Sequence, residues 1–229
     1  MLNNMQNKDI KTMGYVLKRT NYAEADRILN LITPQGKISA IAKGVRKEKS
    51  KLAGGIEMFT LSNYNIHLGR GEFGVITSAK MQKYHGNIIK NFTKMELAAM
   101  MLKKLSRAAE NSDNSEYFEI INQCLTSLDM GDDDGLTESW FLMRLGKAAG
   151  EEINLYRDAD GKKLNPELRY FWNTGENSFM IHDNGDFGVN EIKMLRLLLT
   201  ADLSVVRRVK VTPEMLQKIV GFTKMASRV

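Results

Sequence analysis

The chain has 229 residues, 43% of them hydrophobic and 26% charged, which suits a folded globular protein and excludes wholesale disorder. No apolar run approaches the roughly 18 residues that a membrane span needs; the longest, around Met194–Thr200, is broken by Arg196. The net charge of +6 is unevenly spread: residues 1–84 hold 14 Lys and Arg against 6 Asp and Glu, a balance of +8, whereas residues 85–229 hold 19 against 21, a balance of −2.

The first third reads as β. Gly14–Lys18 and Arg27–Thr33 are short apolar runs, the second closed by the turn signal Pro34-Gln35-Gly36. Lys37–Lys43 alternates, with Ile38, Ala40 and Ala42 on one face. Phe59–Leu68 alternates again, setting Tyr64, Ile66 and Leu68 against Asn63, Asn65 and His67. The stretch Gly69-Arg70-Gly71-Glu72 reverses the chain into Phe73–Met81. Five short strands with turns between them predict a small closed barrel, of OB or SH3-like class.

From about residue 86 the period becomes helical, which puts a domain boundary near Tyr84–Lys90: a barrel over 1–84 and a helical domain over 85–229. Thr93-Lys94-Met95-Glu96 has the form of a capping box, flanked by Phe92 and Leu97 at staple spacing, ahead of a helix through Met101, Leu105 and Ala108. Glu116–Leu128 is a second helix, and Leu136–Ala149 a third, opening near Thr137 and stopped by Gly150. Residues 151–189 carry turn chemistry at Asp160-Gly161, Thr174-Gly175 and Asn184-Gly185, with a small hairpin expected from Arg169–Trp172 and Phe179–His182. Glu191–Thr200, capped by Asn190, and Glu214–Ala226, introduced by Thr212-Pro213, close the chain as helices. The fold class expected is therefore α+β: a five-stranded N-terminal barrel followed by a helical domain with a hairpin insertion at 151–189.

The loop between the third and fourth strands carries the sharpest signal. Lys43, Arg46, Lys47, Lys49 and Lys51 place five cations in nine residues against the single acid Glu48. Cations at this density suit a polyanion, because each contact with a phosphate releases counterions. Ser50 can donate to a phosphate oxygen, and Gly44, Gly54 and Gly55 would allow close backbone approach. Lys18, Arg19 and Arg27 are further candidate contacts on the first two strands. Tyr15, Tyr22, Tyr64 and Phe73 are candidates for stacking on bases, with core packing as the competing reading of each.

The segments Gly14-Tyr15-Val16-Leu17-Lys18, Tyr22–Leu29, Leu31–Pro34 and Gly36-Lys37 resemble the start of RecO proteins. They are followed in the family's order by Ala42-Lys43-Gly44-Val45-Arg46, Lys49-Ser50, Leu52-Ala53-Gly54 and Glu57-Met58-Phe59. Further on, Trp140–Leu145 ending at Gly150 is similar to a helix of the same family. The resemblance implies an OB-fold joined to a helical domain. It implies a cytoplasmic protein without a cofactor that binds single- and double-stranded DNA, anneals complementary strands and helps RecA replace single-strand-binding protein (SSB). It also implies RecR and the acidic tail of SSB as partners. By position, Lys43 and Arg46 match family loop residues tied to DNA binding. Arg144, with Lys147, falls where a helical-domain cation would meet an acidic tail, although Arg144 paired with Glu138 or Asp129 is an equal reading. Many relatives carry four cysteines as a zinc site in the later part of the chain. Here His182 is the sole such ligand in the hairpin region, and zinc wants four. No zinc is expected, with Phe171, Trp172, Phe179 and Ile181 packing in its stead.

Competing classes find less support. Cys124 is the single cysteine and lies on an apolar helix face, which excludes an intrachain disulfide and fits a reducing compartment. Met1–Lys11 has no apolar core of a secretory signal. His67, His85 and His182 show no metal-ligand spacing, and Asp132-Asp133-Asp134 reads as a solvated interhelical loop rather than a nuclease site. Tyr156–Glu167 mimics a calcium loop but opens on Tyr156 and contains Pro166. No phosphate-cradling Gly-x-x-x-x-Gly-Lys motif is present. A non-catalytic DNA-binding mediator is thus expected, with a scaffold binding RNA or an acidic protein as the alternative.

Overall fold

The computed structural model describes residues 8–69, 71–110 and 114–227; residues 1–7 of the N-terminal stretch and Arg70 of the expected reversal lie outside the described residues. Strands β1 (Lys8–Tyr22), β2 (Asp26–Thr33), β3 (Gly36–Ala42), β4 (Thr60–Leu68) and β5 (Gly74–Tyr84) close into a barrel in the order β1-β2-β3-β5-β4. The closure comes from β1, which pairs with β4 over Lys8–Gly14 and with β2 over Tyr15–Tyr22, and from a short parallel contact of β3 with β5 at Ala40↔Gly74 and Ile41↔Val75. This strand order is that of an OB-fold and settles the choice between the two small-barrel classes.

β1 is far longer than the expected Gly14–Lys18, because its flanks alternate with or consist of exposed polar residues and so carry no continuous apolar run. A bulge between Val16 and Lys18 lets the strand turn from one partner to the other. Inside, Val16, Leu29, Leu31, Ala40, Ala42, Ile66 and Ile76 form the core, as period-two alternation requires. Tyr64 belongs to that core, and its hydroxyl donates to the Gly55 carbonyl at 2.9 Å.

The helices that follow are α1 (Gly86–Ile89), α2 (Phe92–Ala108) and α3 (Glu116–Met130). The cap of α2 is Asn91, whose side chain accepts from the Lys94 N–H at 3.1 Å. Thr93 therefore lies inside the helix and the expected capping box does not form; Phe92, 67% exposed, staples nothing. Asn91 prevails because its short carbonyl side chain reaches the third amide of the helix from an extended backbone.

The chain divides into two compact units, Met1–Asp129 and Met130–Val229. The change from strand to helix near residue 85 is thus not where the contacts divide. A buried network explains why α1–α3 stay with the barrel: Tyr15 on β1 donates to Asn122 on α3 at 2.9 Å, and the His85 ring lies 3.1 Å from the same hydroxyl.

The second unit holds α4 (Asp134–Ala148), the hairpin β6 (Tyr170–Asn173) and β7 (Ser178–Ile181), α5 (Val189–Thr200), α6 (Leu203–Val206) and α7 (Pro213–Ala226). Helix α4 opens three residues before Thr137, capped by the Asp133 carboxylate, and ends at Gly150 with φ +84°. Helix α5 starts after Gly188 rather than at Asn190: the Glu191 carboxylate reaches back to the Gly188 N–H at 2.9 Å. Helix α7 has the expected cap, with Thr212 accepting from Met215 and Pro213 in the first turn. Phe179 and Trp172 from the hairpin pack with Phe187 and Phe222 in one aromatic cluster, centroids 5.0–5.9 Å apart. Phe171 and Ile181, expected to join it, are instead 37% and 49% exposed: Phe171 occupies the opposite phase to Trp172, and Ile181 is the last residue of β7.

Candidate nucleic-acid interface

The basic loop is pinned from beneath and open above. Val45 is buried in the barrel core and Leu52 packs against it, so two apolar side chains anchor the loop at its ends. Gly44 takes a left-handed φ of +62°, and its N–H donates to the Asp26 carboxylate at 2.7 Å. The Arg46 N–H then meets the Ala25 carbonyl at 2.9 Å, tying the loop to the turn between β1 and β2. Two further turns, Lys47 N–H to Gly44 and Ser50 N–H to Lys47, both 3.1 Å, carry the chain into Leu52.

With the backbone so held, Lys43, Arg46, Lys47, Lys49 and Lys51 are all exposed. None of the five takes part in an ion pair among the described residues. Ser50 is half-buried, its Oγ accepting from the Leu52 N–H at 3.3 Å, which leaves its O–H hydrogen to donate. Of the glycines, Gly54 is exposed with open space around it, whereas Gly55 is buried: a Cβ there would stand 2.5 Å from the Ala79 carbonyl. Gly55 thus serves barrel closure and not approach of a ligand.

The strand cations differ from those of the loop. Lys18 is exposed. Arg19 is held by Glu57 at 2.7 Å, and Arg27 donates to Asn21 at 3.3 Å, so both are partly committed within the barrel. Two of the four candidate stacking rings are removed. Tyr15 and Tyr64 are 0% and 1% exposed, and burial pushes both phenols well above their ordinary range. Tyr22, 48% exposed, and half-buried Phe73 keep surface.

In the second unit, Arg144 pairs with neither expected carboxylate. Glu138 is taken by Lys224 at 2.9 Å, and Asp129 accepts from the Asn87 N–H at 2.9 Å. Instead Arg144 donates to the Leu199 carbonyl at 3.0 Å, near the C-terminal end of α5, and its guanidinium lies 5.6 Å from the Trp140 ring centre. Its Nε is buried without a partner. Lys147 is 37% exposed and meets Glu152 at 3.7 Å.

The residues weighed for chemistry have structural work. Cys124 is fully buried and its thiol is pushed up by desolvation. Asp133 caps α4, and Asp132 pairs with Arg207 at 3.0 Å. Asp158 closes its own turn by accepting from the Lys162 N–H at 2.8 Å. Among the described residues, no group of three or more His, Cys, Asp or Glu is placed to hold a metal ion.

The buried His85, which sequence reasoning left without a role, sits at the centre of the first unit. Tyr15 gives its hydrogen to Asn122, so the His85 Nε2–H donates to the Tyr15 oxygen and Nδ1 carries the lone pair. Burial lowers its pKa from 6.5 to about 4, and Lys83 adds to this; Asp129, 3.6 Å from Nδ1, opposes it. An isolated histidine between a strand and a helix gives no sequence signal for such a network.

A closed five-stranded barrel with an ordered, cation-rich loop, followed by a helical region, defines a basic OB-fold protein. The family model described as recombination protein O N terminal matches residues 5–85, and recombination protein O C terminal matches residues 90–228. Proteins named DNA repair protein RecO are similar along most of the chain. One from Dehalococcoides mccartyi strain 195 is 30% identical over 224 residues, covering 92% of this chain and 86% of the relative. Another, from strain CBDB1, is 29% identical over 222 residues with the same coverage. A third, from Listeria monocytogenes, is 25% identical over 215 residues, covering 89% of this chain and 82% of the relative. The chain belongs to the RecO family of DNA repair and recombination proteins.

Proposed function

We propose that this chain is a non-catalytic recombination mediator that binds single- and double-stranded DNA through the barrel loop and anneals complementary strands. The observation that carries this reading is the set of five exposed cations, unpaired among the described residues, on a loop fixed by Val45, Gly44 and Arg46. Their energy comes from counterion release, so it is independent of sequence and falls steeply with salt. Two backbones held on one positive surface repel each other less, which favours pairing without any bond being made or broken by the protein. Lys43, Arg46, Lys47, Lys49, Lys51 and Ser50 supply the contacts, with Lys18 in support and Arg19 and Arg27 contributing less, since each already has a partner.

Family membership supports the rest of the reading: RecR as a partner, capture of the acidic SSB tail, and loading of RecA on SSB-coated DNA in the cytoplasm. For the tail, Lys147 and the exposed edge of Arg144 are the candidate contacts. No cofactor, membrane or small-molecule substrate enters the scheme.

The test is annealing of complementary oligonucleotides across a salt series, with and without Lys43→Glu/Arg46→Glu. Fast, salt-sensitive annealing that the double substitution reduces at least tenfold, with the fold intact by circular dichroism, is the expected result. Annealing at the spontaneous rate by the unaltered protein would overturn the reading and leave a scaffold for RNA or an acidic protein.

A further inference from the structure

The first unit has a groove that the basic loop does not form. It lies between the β1–β2 face and the C-terminal half of α2, with a volume of about 380 Å³. Its floor is aliphatic: Leu17 and Leu102 are buried, and Met58 packs at the edge of the barrel core. Its walls are cationic, with Lys18 on the strand side and Lys103 and Arg107 on the helix side, opposed among the described residues by the carboxylate of Glu110. None of the three cations is ion-paired among the described residues.

Two features favour a polyanionic strand as the occupant. Lys103 and Arg107 stand at i, i+4 on α2, a like-charge spacing that works against the bare helix and is relieved by an anion laid across both. Asn30 and Ser106 add neutral donors; the Asn30 carbonyl already accepts from Ser39 at 3.2 Å, leaving its amide hydrogens to donate. Among the described residues no aromatic side chain lines the groove, so bases have nothing to stack on and the contacts suit sugar and phosphate. An acidic peptide would satisfy one wall; cations on both walls with donors between them match repeating phosphates.

We infer that this groove is a second backbone site, holding the sugar-phosphate chain of a single DNA strand in addition to the strand on the basic loop. The inference rests on the DNA-binding reading above, and the experiment separates the two. Lysine acetylation of the intact protein is followed residue by residue with mass spectrometry, alone and with excess oligothymidylate. Protection of Lys18 and Lys103 together with Lys43–Lys51 is expected. Lys103→Glu/Arg107→Glu should then weaken oligothymidylate binding about tenfold at low salt and reduce the salt slope by about 1.4, two contacts' worth. Protection of the loop lysines, with or without Lys18 but without Lys103, would overturn the second site while leaving the loop reading intact. Protection of neither set would overturn both. Protection of Lys18 and Lys103 by oligoglutamate but not by oligothymidylate would make the groove a peptide site and end the proposal.

Discussion

In the first unit the cations of Lys43–Lys51 stand exposed with no ion pair among the described residues, while the network between strand and helices is made of the neutral groups Tyr15, His85 and Asn122. In the second unit arginines make such internal bonds. Arg196 donates twice to the Leu155 carbonyl, at 2.9 and 2.8 Å, and lies 4.6 Å from the Tyr156 ring centre. Arg144 holds the end of α5, and Arg207 pairs with Asp132. The same residue types are therefore left without ion pairs on the loop of one unit and are bonded within the fold in the other. Net charge alone separates residues 1–84 from residues 85–229, at +8 and −2; what matters for binding is how many cations are already satisfied.

Three measurements bear on this contrast, ordered by their expected effect on stability. The largest concerns the neutral network. Above pH 6.5 His85 is neutral whether folded or unfolded; as pH falls toward 4 the unfolded chain takes up a proton that the folded chain refuses. Stability should therefore be full above pH 6.5 and decline, by on the order of 3 kcal/mol, as pH drops to about 4. Urea midpoints measured from pH 7.5 downward check this, and a flat profile between 6.5 and 5 would show that the network is not neutral.

Next, Arg196→Ala strands the Leu155 carbonyl and should cost about 2 kcal/mol while leaving oligonucleotide affinity unchanged. A fall in affinity with no change in urea midpoint would break the contrast, because it would make Arg196 a DNA contact rather than a support of the fold. The smallest effect on stability belongs to Lys47→Ala/Lys49→Ala/Lys51→Ala, within about 0.5 kcal/mol. Its signature is elsewhere: the slope of log affinity against log salt should fall by about 2 for three lost phosphate contacts.

Much of the barrel was legible because apolar alternation is a local property. Leu29, Leu31, Ala40, Ala42, Tyr64 and Ile66 face inward as their period demands. Helix ends were less so. Asn91 and Thr93 are both able caps, and so are Gly188 and Asn190; which one serves depends on where the preceding backbone leaves the extended region. The basic loop was legible as composition, yet its anchoring was not, since Asp26 and Ala25, which hold it by hydrogen bonds, lie far from it in sequence.

The order of residues along the chain suffices for the five strands, the helical second part, the location of the excess positive charge and the RecO resemblance, since each rests on local pattern or on residues adjacent in sequence. Other properties came only with the tertiary structure. It assigned Tyr15 and Tyr64 to the core rather than to a stacking surface, tied α1–α3 to the barrel, and committed Arg144 to a helix end. It also brought Lys18 opposite Lys103 and Arg107 across one groove. Burial and the satisfaction of a charge depend on groups that the fold brings together from distant positions, and no spacing within the chain records them.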